Sequence, residues 1–487
     1  MRSAAASGTL SRLAAQGHLI GDRWRVGDGG GTYAHRYAAT GQVQAEVGLA
    51  GPADVDAAVD AARSAQPEWA AADPGERAAV LSRLADLLEG NADEAAELAA
   101  LDNGTPVGVM RPGNYTARWV RYYADWCDKL GGEPIPQGRG AAHVRLEPYG
   151  VVAVIPPWNG SMMGMGQKAA PALAAGNAVV AKPPELSPFG VLRFAELALE
   201  AGLPPGVLNV VVGGDTTGSA LVGHPGVDKI SFTGGSATGR LVMAAAAGNL
   251  TPLTLELGGK SPNIVFPDAD LDVAASVAAR LGTALLSGQG CALPTRLYVH
   301  DDVYDDVVDR LLAVLATLQV GDPLDGDTAV GPVVSEQAMT RILGVVTTAV
   351  EDGSTLLAGG HRLGGDLRDG WFVAPTVLGD VDHHSDLARH EVFGPVQAVL
   401  RFSSEDEVLA KANDSPFGLA AYLHTRDPRR IERFVRELET GTVHVNGTGR
   451  ATPAAPFGGT KQSGFGREGG RAGIEEMVRS KTVFVAP

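Results

Sequence analysis

From Gly150 onward, short β-branched runs alternate with longer segments of helical spacing: VVAVI at 151, NAVVAK at 177, VLNVVV at 207 and VDKISF at 227. Runs that are apolar at every position are what strands buried on both faces look like. The segments opening near Ser161, Phe189 and Asp215 are long enough for crossover helices, so this stretch predicts a βαβαβα order and an open parallel sheet. Ligands of such sheets bind outside the carboxyl ends of the strands. That points to four loops: Pro156 to Asn159, Lys182 to Glu185, Gly213 to Asp215 and Thr233 to Gly239. Upstream, residues 52–100 space Leu81, Leu84, Leu87 and Leu88 as amphipathic helices do, and a further helix is expected from about Tyr115 to Lys129, ended by Gly131 and Gly132. Downstream, residues 259–441 predict a second α/β domain with helices near 271–286, 301–318 and 427–439 and strands near 296–299, 395–402 and 419–424.

Composition narrows this picture. A chain of 487 residues exceeds what one core normally serves, and 45% hydrophobic with 20% charged residues fits an ordered globular protein. The formal charge of −16 disfavours nucleic-acid binding. Every apolar run is broken short of the ~18 residues a membrane span needs, and no export signal is read at the N-terminus. With two widely spaced cysteines, Cys127 and Cys291, the expectation is a cytoplasmic protein without disulfides.

Several residues carry candidate chemistry. Cys291, in SGQGCAL, is flanked by Gly288, Gly290 and Ala292, which leave room for a nucleophile but suit a small buried hydrophobe equally well. Cys127, beside Trp126 among packing residues, reads as structural. In PLTLELGGK the period of two puts Glu256 opposite the leucines, either as a solvent-facing strand residue or as a fixed general base. Asn159 follows a strand and two prolines, where it can cap the next helix or donate to an oxyanion. Lys182 could reach a phosphate or ribose and Glu185 a ribose diol, or both could be solvated loop charges. FTGGSATG places Gly234 and Gly239 at a helix opening suited to pyrophosphate; it is neither GxGxxG nor a Walker loop. His383, His384 and His390 match no metal spacing, so no metal is expected.

In order along the chain, PPWNG, KPPELSP, FTGGSATG, LELGGKSPN, GQGC, EVFGPV, NDSPFGL and PFGGTKQSGFGRE resemble the aldehyde dehydrogenase superfamily, from about Gly21 to the C-terminus. The resemblance implies a Rossmann-like parallel-sheet cofactor domain, a second α/β catalytic domain and a small β oligomerisation extension. The corresponding boundaries are a flexible extension over 1–20, the NAD-binding domain over 21–130 and 151–258, the catalytic domain over 259–441, oligomerisation segments over 131–150 and 470–487, and a return to the cofactor domain and substrate mouth over 442–469.

It further implies that Cys291 attacks an aldehyde, that Asn159 and the Cys291 backbone N–H hold the oxyanion, and that Glu256 activates the water that hydrolyses the thioester. Lys182 belongs to both the catalytic and cofactor sets. Ile155, Trp158, Gly214, Phe232, Gly234, Gly235, Ser236, Gly239 and Leu257 would surround the dinucleotide, Glu391 and Phe393 its nicotinamide end, and Glu185 would favour NAD over NADP. Departures from the family pattern at Gly160-Ser161, Gly164 and Gly166 suggest a roomier substrate tunnel. Gly164, Gln167 and Arg450 are the candidate substrate residues, with Arg450 either favouring an acidic semialdehyde or standing as a solvated surface charge. A homodimer or homotetramer is implied, with segment 131–150 and the C-terminal strand pairing across subunits. The competing readings are a CoA-acylating enzyme and a catalytically silent binding protein on the same fold.

Overall fold

The apolar runs form the centre of a parallel sheet, and their chain order explains where a ligand can enter. The computed structural model describes residues 4–27, 29–137, 139–448 and 452–486. Strand Val151–Ile155 lies in the middle. The chain adds Ala178–Ala181 and Leu208–Val210 on one side, then crosses to add Lys229–Thr233 and Leu253–Glu256 on the other. This reversal makes a topological switch point between Val151–Ile155 and Lys229–Thr233. Alternate residues of the central strand face different helices. Val151 and Ala153 pack with Val55, Ala58 and Val59 of helix Pro52–Ala71, and Val152 and Val154 share a core with Phe189 and Leu192 of helix Phe189–Glu200. Each such side chain, fully buried, contributes about 1.5–3 kcal/mol, and an all-apolar strand is the consequence.

The second sheet has the order Thr355–Ala358, Thr376–Gly379, Val396–Phe402, Arg296–His300, Pro262–Val265, Ala420–His424, Thr442–Val445, all parallel except the first. The helix expected over 271–286 is α-helical only through Ser276, then widens to a π-helix over Val277–Ala284 and ends in a tight turn at Leu285–Gly288. Leu286, Ser287 and Gly288 all have positive φ, at 52°, 53° and 71°.

Several expectations are corrected. Residues 4–16 are no loose extension: helix Ala4–Gln16 buries Ala6, Leu10 and Leu13 in the main core, and strand His18–Ile20 pairs with Leu208–Val210. Strand Thr442–Val445 lies in the second sheet, beyond the boundary set at 441, and Gly464–Phe465 pairs with Leu253–Glu256 at the edge of the first. The helix placed at Tyr115–Lys129 spans Pro112–Ala124, beginning where proline is favoured at the first turn. Strand Val478–Val485 pairs with Ala141–Pro148 of its own chain. No described helix is long and apolar enough to cross a membrane.

Candidate active site

A cavity of about 460 Å³ opens at the switch point. Ile155, Trp158, Asn159, Lys182, Glu185, Gly214, Phe232, Gly234, Gly235, Leu257, Cys291, Glu391 and Phe393 all line it, so the strand-end loops do converge. Lys182 is only 8% exposed and makes no side-chain hydrogen bond among the described residues; burial lowers its pKa, while Glu185 and Asp215 oppose that. A buried cation without a hydrogen-bond partner among the described residues, at the mouth of four loops, fits an anionic, hydroxyl-rich cofactor. Glu185 lies against Gly214, where a Cβ would stand 3.1 Å from its Oε1. Trp158 and Phe393 meet edge to face at 5.5 Å and form an aromatic wall.

Two of the expected cofactor residues stand back from the cavity. Ser236 Oγ donates to the Gln462 carbonyl at 3.1 Å. At Gly239 a Cβ would come within 2.7 Å of Leu257 Cδ2, so this glycine permits close packing of helix Ser236–Ala247 on the sheet.

Cys291 is partly exposed on the cavity wall. Burial, then the carboxylates of Glu391 and Glu256, push its thiol up to about 12, so the resting group is a thiol. Glu256, at the end of its strand, is not the solvent-facing residue that periodicity allowed. It is 2% exposed and neither carboxyl oxygen has a hydrogen-bond partner. Burial first, and then Glu468, raise its pKa well above the usual carboxylate range, while Lys168 and Arg467 act the other way. Glu391 accepts the Gly259 N–H at 3.0 Å, and burial raises it to about 7. Asn159 does not cap the following helix; its Nδ2 donates to the Gln289 carbonyl at 2.7 Å. The amide has a second N–H to offer.

Sequence reasoning missed Lys168 and Glu468, which form a buried ion pair behind Glu256, with Lys168 Nζ also 3.3 Å from Ser231 Oγ. The available signal was a lone charge in the otherwise apolar GMGQKAAPALAA. Further along the same strands, Glu476 accepts from Thr254 and Lys229 at 2.9 and 2.8 Å.

The tunnel glycines are corrected as well. A Cβ at Gly164 would lie 2.8 Å from Pro156 Cβ, and one at Gly166 would meet Trp119 and Thr116 at 3.0 and 3.2 Å. Neighbouring side chains fill both spaces, so neither glycine enlarges a tunnel. Gln167 Nε2 donates to Tyr115 Oη at 3.2 Å, and burial raises the Tyr115 phenol above its ordinary range. Arg450 lies outside the described residues. Cys127 is buried, with its thiol pushed up to about 11 by burial. His383, His384 and Asp414 lie within ligand reach of one another, but both His383 nitrogens already have partners, Tyr298 at 3.1 Å and Asp414 at 3.0 Å, and Arg389 shares Asp414.

A cavity with a free thiol on its wall, at the carboxyl ends of a doubly wound sheet, is the architecture of a dinucleotide-dependent oxidoreductase. A sequence profile described as aldehyde dehydrogenase family matches residues 24–483, and the chain belongs to that family. It is 44% identical over 452 residues to a betaine aldehyde dehydrogenase of Rhizobium leguminosarum bv. trifolii (strain WSM2304), covering 92% of this chain and 93% of the relative. Among solved structures, the NAD+ complex of an aldehyde dehydrogenase from Bacillus cereus is 39% identical with a TM-score of 0.94, covering 98% of both chains. An NADP dependent enzyme of E. coli is 37% identical with a TM-score of 0.95, covering 98% of this chain and 99% of that one. The protein is thus an oxidoreductase acting on aldehydes.

Proposed function

We propose that the chain oxidises an aldehyde to the carboxylic acid with NAD and water, through a thioester on Cys291. The observation that carries this reading is the buried Glu256 carboxyl, without a hydrogen-bond partner, within electrostatic reach of the thiol. Glu256 takes the proton as Cys291 Sγ bonds to the aldehyde carbon, and the carbonyl oxygen becomes an oxyanion. The free Asn159 N–H and the Cys291 backbone N–H stabilise that charge. NAD, when bound, supplies the acceptor for the hydride whose loss leaves a thioester on Cys291. Glu256 then removes a proton from water as the water attacks the thioester, releasing the acid and the thiol. Between the two steps Glu256 must release the first proton to solvent before it takes the second.

Lys182, Glu185, Trp158 and Phe393 would hold the dinucleotide, and the charge of Glu185 at Gly214 favours a ribose with free hydroxyls over a 2′-phosphate. We place the protein in a reducing, cytoplasmic setting, supported by two free thiols. A homodimer or a dimer of dimers is supported by the exposed Leu241, Met243 and Leu250 on and after helix Ser236–Ala247; size-exclusion chromatography showing only monomer would contradict it.

The test is aldehyde-dependent NADH formation without coenzyme A. Cys291→Ala should abolish it, and Glu256→Gln should slow both the first burst and turnover, since the variant lacks the base at either step. A strict requirement for coenzyme A would establish acyl transfer to that thiol instead. The aldehyde is assigned by comparing kcat/KM over aliphatic, aromatic, acidic and quaternary-ammonium aldehydes.

A further inference from the structure

The carbonyl that holds Asn159 belongs to a residue fixed from several directions. Gln289 is 3% exposed. Its Oε1 accepts the Val334 N–H at 2.9 Å, its Nε2 donates to the Leu286 carbonyl at 3.0 Å, and its own backbone N–H donates to that same carbonyl at 3.0 Å. Between these anchors the chain passes through three successive left-handed residues, Leu286, Ser287 and Gly288. Residues with a Cβ adopt that conformation only when their surroundings enforce it. The surroundings do so: Ser287 Oγ donates to the Gly331 carbonyl at 2.8 Å, and a Cβ at Gly288 would stand 2.0 Å from the Gly394 carbonyl oxygen. Opposite, Asn103 Nδ2 donates to the Trp158 carbonyl at 2.9 Å and so fixes the backbone just before Asn159.

We propose that Gln289 is a positioning residue for the oxyanion donor. Its carbonyl occupies one amide proton of Asn159, its side chain keeps the left-handed turn from relaxing, and the second Asn159 N–H is thereby held toward the substrate oxygen beside Cys291. The left-handed turn is the mechanical link between the 331–334 segment and the chemistry, and Gln289 is its latch. The inference rests on the oxyanion reading of Asn159.

Four variants separate the two ideas: Asn159→Ala, Gln289→Ala, Gln289→Glu and the double Asn159→Ala/Gln289→Ala. Each is measured for the pre-steady-state NADH burst, for NAD dissociation, and for alkylation of Cys291 by iodoacetamide. Alkylation forms a C–S bond and expels iodide without charge on a carbonyl oxygen, so it reports the thiol and not the oxyanion donor. Gln289→Ala should slow the burst about tenfold or more, with NAD affinity and alkylation within about twofold of the parent. Gln289→Glu keeps the acceptor for Val334 and should retain more of the burst; it carries the test if the alanine variant does not fold. The double variant should be no slower than Asn159→Ala, because both act through one group. A normal burst in Gln289→Ala, multiplicative losses in the double variant, or parallel loss of burst, alkylation and NAD binding would each overturn the proposal. A normal burst in Asn159→Ala would instead refute the oxyanion reading itself.

Discussion

The Gly259 N–H donates to Glu391 Oε1 at 3.0 Å, tying the end of the first sheet to the loop that leads into the second across the cavity. No side chain is tolerated there: a Cβ at Gly259 would lie 2.3 Å from the Cys291 carbonyl oxygen, and one at Gly258 would lie 2.5 Å from Glu391 Oε2. Gly259→Ala must therefore displace the Cys291 backbone, and kcat/KM should fall by about tenfold or more. Gly344→Ala is the control, since a Cβ at this exposed position meets nothing within 4 Å and helix Glu336–Glu351 should gain about 0.5–1 kcal/mol.

The rate should climb with pH. Cys291 is held up to about 12 and Glu256 well above the ordinary carboxylate range, both chiefly by burial, so raising the pH populates the base forms the reaction uses. Steady-state profiles between pH 6 and 9 should rise in the parent, and Glu256→Gln should lose the part due to deacylation. A maximum on the acidic side would show that these groups act in their protonated forms.

Breaking the Lys168–Glu468 pair on one side strands a buried charge. Lys168→Met should cost about 3–5 kcal/mol in urea unfolding, whereas Lys168→Met with Glu468→Leu should recover much of that loss. A single-variant cost below about 1 kcal/mol would mean that solvent reaches the site.

The N-terminal helix should matter to stability. Leu13→Ala removes a fully buried side chain and should cost about 2–5 kcal/mol, read as a lowered unfolding midpoint. An unchanged midpoint would show that the helix is undocked in solution.

Cofactor choice should follow Glu185. Glu185→Gln removes the charge facing a 2′-phosphate, and the NADP-to-NAD ratio of kcat/KM should rise by about tenfold, or roughly 1.4 kcal/mol. If the ratio stays constant, another group discriminates.

The sequence made the first sheet and its ligand rim legible because strands buried on both faces are apolar throughout, and Trp158, Lys182, Glu185 and Phe232 stand at or just beyond their ends. The burial of Glu256 was not legible. A period of two names a face but not what covers it, and the cover comes from Lys168, Gly458 and Glu468, distant in the chain. Gly164 misled for a similar reason: a missing side chain does not say whose atoms take its place, and here Pro156 does. The helix at 4–16 does show helical spacing in Leu10, Leu13 and Ala14, but its partners lie far along the chain, so its spacing alone did not reveal that it docks.

Strand Val478–Val485, zipped along Ala141–Pro148, and Gly464–Phe465, on the edge of the first sheet, return to the cofactor half from far along the chain. During synthesis the cofactor half is therefore complete in length long before it is complete in structure. The sheet edge beside Glu256 stays open until Gly464–Phe465 has been made, so this part of the site completes late in folding.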